Sequence, residues 1–174
     1  MTTQSAETIY IAGRKFPLYP PPLDEYWKRT KQPRPNFKEI STANRRGYNG
    51  VWLLDSGKLF LIDLTGQQGL IDIFKNEEYP VKAIWFSGNL AVGLGKTISS
   101  PVACFRPEYE RELVLSVENG DVTNVMIKDN IGSYRITSEN DRFLHGKPLW
   151  QIFGRVKSPE IVKLERIEDF ECTV

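Results

Sequence analysis

Apolar and polar positions alternate over short stretches of this chain, and the stretches end in tight-turn residues. Residues 110–118 and 121–128 alternate on either side of Asn119-Gly120. Asn-Gly is a strong two-residue hairpin signal, because both central residues of a type I′ turn take positive φ. Folding about it sets Val117 opposite Val122, Ser116 opposite Thr123, Val114 opposite Val125 and Leu113 opposite Met126. Leu115 then meets Asn124, the weak point of that register. Ser56-Gly57 turns residues 48–55 back onto 58–64 and sets Trp52 against Leu61 and Leu54 against Leu59. Val51–Ile62 and Leu53–Phe60 fall on the opposite face. With both faces apolar, this hairpin is predicted to be central and covered on both sides. Gly13-Arg14, between residues 8–12 and 15–18, fits a type II′ turn with Gly first. A fourth hairpin is predicted at Ser87-Gly88-Asn89, joining 81–86 to 90–92.

Six of the eleven prolines lie in the first 35 residues, which leaves room there for one short helix, between Leu23 and Lys31. Residues 19–22 should be extended polyproline II. Past residue 130, segments 133–137 and 150–156 have strand character. Ser158-Pro159-Glu160 has the form of a helix start, with Ile161, Leu164, Ile167 and Phe170 at helical spacing after it. No helix of ten or more residues separates the strands, so βαβ crossovers are not expected. The predicted class is mainly β: an antiparallel β-sandwich or partly open β-barrel with a few short helices.

Composition bounds the picture. A chain of 174 residues, 40% hydrophobic and 26% charged, suits one domain over 1–174. At this size folding buries roughly 70% of the unfolded surface, so no staple is needed. Residues 1–6 are expected to be flexible. No long apolar run follows the polar start, and the longest runs, such as 51–54 and 83–86, are four residues. Neither a signal peptide nor a membrane span is expected. Cys104 and Cys172 read as reduced thiols of a cytoplasmic protein. One His and two Cys are too few for a Cys/His zinc site, and no metal or cofactor is expected.

Three blocks are familiar in combination. Arg46-Gly47-Tyr48 with Trp52 four residues on leads into the hairpin 55–61 around Gly57-Lys58-Leu59. Trp85-Phe86-Ser87-Gly88 is the second block, and Glu112-Leu113-Val114-Leu115 ahead of Glu118-Asn119-Gly120 the third. Together they resemble a family of small uncharacterised bacterial proteins. The resemblance covers about residues 44–120 and implies kinship and a bacterial source. No activity attaches to that family, so it implies no catalytic residues.

Enzymatic motifs fail on spacing. Gly93-Leu94-Gly95-Lys96-Thr97 suggests a phosphate loop, but the required first Gly is Leu90, and Pro101 blocks the helix that should follow. The bland reading is a flexible Gly-rich loop at a sheet end. His145 stands without a Gly-x-Ser-x-Gly nucleophile elbow. Asp55, Asp63 and Asp72 are scattered over turns and strand ends. No catalytic set emerges.

Charge distribution is more informative than net charge, which is only +1. Residues 26–46 carry Lys28, Arg29, Lys31, Arg34, Lys38, Arg45 and Arg46 against Glu39 alone, a local +6. Tyr26, Trp27, Phe37 and Tyr48 are interleaved with them. Residues 158–174 carry −3. Cations beside aromatics suit an anionic partner. The predicted function is therefore a macromolecule-binding module whose partner site is Trp27, Lys28, Arg29, Arg34, Arg45, Arg46 and Tyr48. An acidic protein is the first expected partner and nucleic acid the second. On this reading Arg45→Glu with Arg46→Glu weakens binding at nearly unchanged melting temperature. Two other readings stand beside it. In one, the basic segment is an ordinary solvated face or pairs with the acidic end. In the other, a small-ligand protein or enzyme binds in the mouth of a barrel, with Asp63, Asn124 and Tyr48 converging in one cavity.

Overall fold

A computed structural model describes residues 4–66, 73–74, 77–99 and 107–130, with strand backbone at 143–144, 147–148 and 160–163. β1 (Glu7–Ile11) and β2 (Arg14–Tyr19) form the first hairpin. Ile11 pairs with Arg14, so the turn residues are Ala12 and Gly13, at φ 53° and 80°. Two positive φ values make a type I′ turn, one residue earlier than the type II′ turn the sequence suggests. The proline tract after β2 does not run extended as polyproline II: the Tyr19–Pro20 peptide is cis and Pro22 is already α-helical as a cap. α1 (Leu23–Thr30) is the short helix predicted there.

β3 (Tyr48–Asp55) and β4 (Lys58–Gly66) fold about Ser56-Gly57, and β5 (Val81–Lys82) adds to β4. β6 (Gly88–Ser99), β7 (Glu108–Glu118) and β8 (Asp121–Asp129) form an antiparallel meander. The hairpin expected at 87–89 does not form: β5 pairs with β4, and β6 pairs with β7 and β2. The Gly93–Thr97 stretch is no loop either but part of β6, absorbed by two register shifts. β9 (Phe143–Leu144) pairs with β10 (Lys147–Pro148). β11 (Glu160–Lys163) runs parallel to β8, so the predicted helix start is a strand. Segments 133–137, 150–156 and 164–170 lie outside the described residues.

The strand order β8-β7-β6-β2-β1-β3-β4 closes on itself where Lys58 of β4 pairs with Asp121 of β8. The result is a closed seven-stranded barrel with β11 and β5 as additions, within the predicted class but closed rather than partly open. The two turns most legible in the sequence meet at the seam. The Leu59 N–H donates to the Gly120 carbonyl at 2.8 Å, and the Val122 N–H to the Gly57 carbonyl at 2.8 Å. Gly120 is required there twice over. Its φ is +79°, and a Cβ would lie 2.8 Å from the Ala83 carbonyl oxygen.

Two pairings, β1–β3 and β8–β11, are parallel, which corrects the expectation of antiparallel ribbons throughout. No βαβ unit is involved in the first. The chain runs out along β1, back along β2 and out again along β3 on the other edge of β1.

Two bulges set which residues face inward. In the β3–β4 ladder Trp52 pairs with Leu61 but Val51 pairs with Asp63, leaving Ile62 as the extra residue. Strict alternation from Leu61 would bury Asp63; the bulge turns Asp63 out and Leu64 in. In the β7–β8 ladder Val117 pairs with Val122, then Ser116 pairs with Asn124, leaving Thr123 extra. Leu115 thus meets Val125 and Leu113 meets Ile127, instead of Asn124 and Met126. Each bulge keeps one polar residue off the apolar side of the sheet. The predicted pairs Val51–Ile62, Ser116–Thr123, Val114–Val125 and Leu113–Met126 are corrected by this one cause. Ile9, Ile11, Leu18, Trp52, Leu59, Leu61, Leu90, Leu113 and Leu115, all at most 1% exposed, belong to one buried core. The outward residues of the β3–β4 hairpin, Val51, Leu53, Phe60 and Ile62, are half-buried, so that hairpin is less covered than its two apolar faces predict.

Candidate interaction site

α1 complements its own dipole, with Asp24 and Glu25 in the first turn and Lys28 and Arg29 in the last. Leu23 anchors it in the core. Tyr26 meets Trp27 edge-on at 4.8 Å and Trp85 at 5.0 Å, and lies 4.9 Å from Phe74. Trp27 is thus half-buried against this aromatic cluster, the most exposed of the three described tryptophans. Lys28 and Arg29 follow on the exposed part of the helix, and Lys28 bonds Glu25 at 2.7 Å, which raises the pKa of its ammonium group.

The segment from 31 to 47 has almost no secondary structure, yet it is tied down. Phe37 packs on Tyr48 at 4.9 Å. Buried Asn44 accepts from the Gly47 N–H and donates to the Tyr48 carbonyl. The Ser5 N–H donates to the Ala43 carbonyl at 2.6 Å, and Gln4 bonds both Thr42 and Arg45. Residues 4 and 5 are therefore bonded to the 42–45 turn. Gly47 sits at φ +77°, and a Cβ there would fall onto the Lys38 carbonyl and 2.8 Å from Phe37 Cβ.

Beneath the segment lies a buried polar group whose members the charge count does not separate. Glu7 is inward-facing on β1, in phase with Ile9 and Ile11. The Trp52 indole N–H donates to its Oε2 at 2.6 Å. Gly50 permits this bond, because a Cβ would come within 2.6 Å of the indole nitrogen and 2.7 Å of the carboxylate. Arg46 Nε faces Glu7 Oε1 at 3.8 Å, too far for a hydrogen bond, and both atoms lack one. Arg46 spends its Nη2 on the Ser5 carbonyl and Asn49 Oδ1. Burial pushes the Glu7 carboxyl up from 4.5 to about 7, outweighing Arg46, Trp52 and the Gly50 N–H, which all favour the anion. Tyr48, fully buried, donates its hydroxyl to Asp24 at 2.6 Å. Burial first, then the nearby carboxylates, raises its pKa and keeps it a neutral donor.

The predicted site residues thus separate by depth. Lys28, Arg29, Arg34 and Arg45 are exposed, Trp27 is half-buried, Arg46 is 11% exposed, and Tyr48 is inside. Arg29, Lys31, Arg34, Lys38 and Arg45 have no carboxylate partner among the described residues. Pairing of this segment with the acidic end rests on side chains of residues 158–174, which lie outside the described set. Asp63 is exposed and caps the Leu64 N–H, Asn124 pairs with outward Ser116, and Tyr48 is buried, so the three do not converge. His145, Asp72, Cys104, Cys172 and Trp150 also lie outside the described residues. Among the described residues there is no cluster of three or more His, Cys, Asp or Glu fit for a metal, and no helix long and apolar enough to cross a membrane. Glu7, Asp24, Asn44 and Asn49 are the supporting residues that composition and motif reading miss. Glu7 alone leaves a signal, an acid at an apolar-phase position of a strand.

Among known proteins, no family model, no curated protein and no solved structure matches this chain.

Proposed function

We propose that this protein is an interaction module that binds an acidic protein partner through the face made by the end of α1 and residues 31–46. The observation that carries this is the set of five exposed cations, Arg29, Lys31, Arg34, Lys38 and Arg45, with no described acid to neutralise them. Complementary charge steers association and sets register more than it adds affinity. Trp27, Arg46 and Tyr48 serve from behind, holding the backbone that presents the exposed residues. A protein is favoured over nucleic acid because single strands need open ring faces for base stacking. Here Phe37 and Tyr48 pack on each other and under guanidinium groups. A cytoplasmic, bacterial setting accompanies this reading, on the sparse cysteines and the three resembling blocks.

The test is capture from the native host by the tagged protein and by a variant with Arg29, Lys31, Arg34, Lys38 and Arg45 all reversed to Glu. Wild type should capture an acidic protein, the variant should lose it, and nuclease treatment should change neither result. Capture that survives reversal of all five cations, or that nuclease abolishes, overturns the proposal.

A further inference from the structure

Arg34, Arg45 and Arg46 line a single groove of about 310 Å³ together with Pro35, Asn36 and Phe37. Three arginines and no acidic residue line it. The groove is built rather than collapsed. Arg34 donates from Nη2 to the Arg46 carbonyl at 3.1 Å, and its guanidinium lies 5.9 Å from the Phe37 ring centroid and 5.6 Å from that of Tyr48. Arg46 lies 5.8 Å from the same Tyr48 ring, held by Ser5 and Asn49. Two guanidinium groups therefore lie within 6 Å of the centre of one buried ring. The Arg45 backbone is fixed by Gln4, which leaves its side chain free to close the groove.

We propose that this groove is the anchor pocket of the interaction face, and that it takes one carboxylate side chain, an Asp or Glu of the partner, gripped by Arg34 and Arg45. The proposal rests on the reading of an acidic protein partner and names where and how that partner is held. Guanidinium forks match carboxylates bidentately, and two of them at one site neutralise the charge that otherwise repels. Arg34 has one N–H committed and the rest without a described acceptor, and Arg45 has no described side-chain partner. Stacking on Phe37 and Tyr48 orders Arg34 before binding, so less side-chain entropy is lost on association. At about 310 Å³ the groove is at the small end of ligand sites, with room for an acidic side chain between its arginines. Arginine is enriched among the few residues that anchor interfaces, while the surrounding Lys28, Arg29, Lys31 and Lys38 steer.

The experiment is calorimetric titration of the full chain with a terminally blocked pentaglutamate peptide, with inorganic phosphate, and with an octathymidylate strand. Pentaglutamate should bind wild type. Arg34→Gln and Arg45→Gln should each weaken it about tenfold, the loss of one charge-assisted fork. Arg34→Lys should weaken it nearly as much, because an ammonium keeps the charge but loses fork and stack. Lys31→Gln should weaken it less than about threefold. Thermal melts within a few degrees of wild type certify that the exposed Arg34 and Arg45 variants are folded. If Arg29, Lys31 and Lys38 variants lose as much as the groove variants, binding is diffuse; the pocket is wrong while the acidic-partner reading survives. If phosphate binds through Arg34 and Arg45 and pentaglutamate does not, the carboxylate assignment falls. If octathymidylate binds tighter than pentaglutamate with the same arginine dependence, pocket and acidic-partner reading fall together.

Discussion

Replacing Glu7 by Gln should remove a specific pH dependence of stability. The Glu7 carboxyl is fully buried, and its pKa is raised from 4.5 to about 7, chiefly by loss of water. The folded state therefore holds the proton more tightly than the unfolded chain does. The favourable contribution of this group is complete below about pH 4.5 and is lost as the pH rises to about 7, after which it stays constant. The span from 4.5 to about 7, at about 1.4 kcal/mol per pH unit, amounts to ~3 kcal/mol. Arg46, 3.8 Å away, opposes this and fails to win, because its hydrogen bonds go to Ser5 and Asn49. Asp24, the other nearby charge, pushes the same way as burial. Gln retains a carbonyl acceptor for the Trp52 indole but cannot ionise, and its donor facing Arg46 costs the same at every pH. Urea unfolding of wild type and Glu7→Gln between pH 4 and 8, with tryptophan fluorescence as probe, isolates the group as a difference. Wild-type stability relative to the variant should fall by ~3 kcal/mol between pH 4.5 and 7 and be flat from 7 to 8. A relative stability that rises across that window would mean the Arg46 ion pair outweighs burial, and the reasoning would be refuted.

Two further predictions follow from backbone and charge placement. Gly120→Ala should cost ~3 kcal/mol, lowering the melting temperature by about 10 °C, since it adds a clash with the Ala83 carbonyl to the cost of a left-handed φ. Gly13→Ala, at φ +80° with nothing within 4 Å, should cost only ~1 kcal/mol and about 3 °C; equal losses in calorimetry would deny the seam its tight fit. Arg46→Glu should cost ~3 kcal/mol or more, because it unties Ser5 and Asn49 and sets an acid against Glu7, while Arg45→Glu should stay within about 0.5 kcal/mol. The double reversal is therefore not silent in a melt, contrary to what the charge pattern alone suggests, and chemical denaturation of the two single variants checks it.

The fold class is legible because turn chemistry is local. Asn119-Gly120 and Ser56-Gly57 turn where their residues say they do, each with two positive φ values. Registers are legible only as far as the first bulge. A bulge is chosen by the whole barrel, which rejects Asp63 and Asn124 from its interior, and no window of eight residues contains that requirement. The same limit explains the failed hairpin at 87–89. Its turn residues are suitable, but β4 offers β5 a partner and β7 offers β6 one, and tertiary pairing overrides the local signal. The helix expected after residue 158 fails likewise over 160–163, where β8 supplies a parallel neighbour that capping residues cannot foresee.

The candidate site is legible in its charge and illegible in its depth. A count of +6 treats Arg45 and Arg46 as one unit, yet both sit in the turn before β3, which sends their side chains to different depths. Arg45 is exposed, while Arg46 lies against the Tyr48 ring and faces a buried acid. The Ser5 carbonyl and Asn49 hold Arg46 there, facing Glu7, 39 positions earlier, which strand alternation places in line with Ile9 and Ile11. A buried acid is costly unless a cation reaches it, and a cation that reaches it is unavailable to a partner. Burial of Glu7 therefore divides the arginines into one that holds the loop and two that it presents. That division places Arg34 and Arg45 at a groove, where the sequence alone shows only a basic stretch.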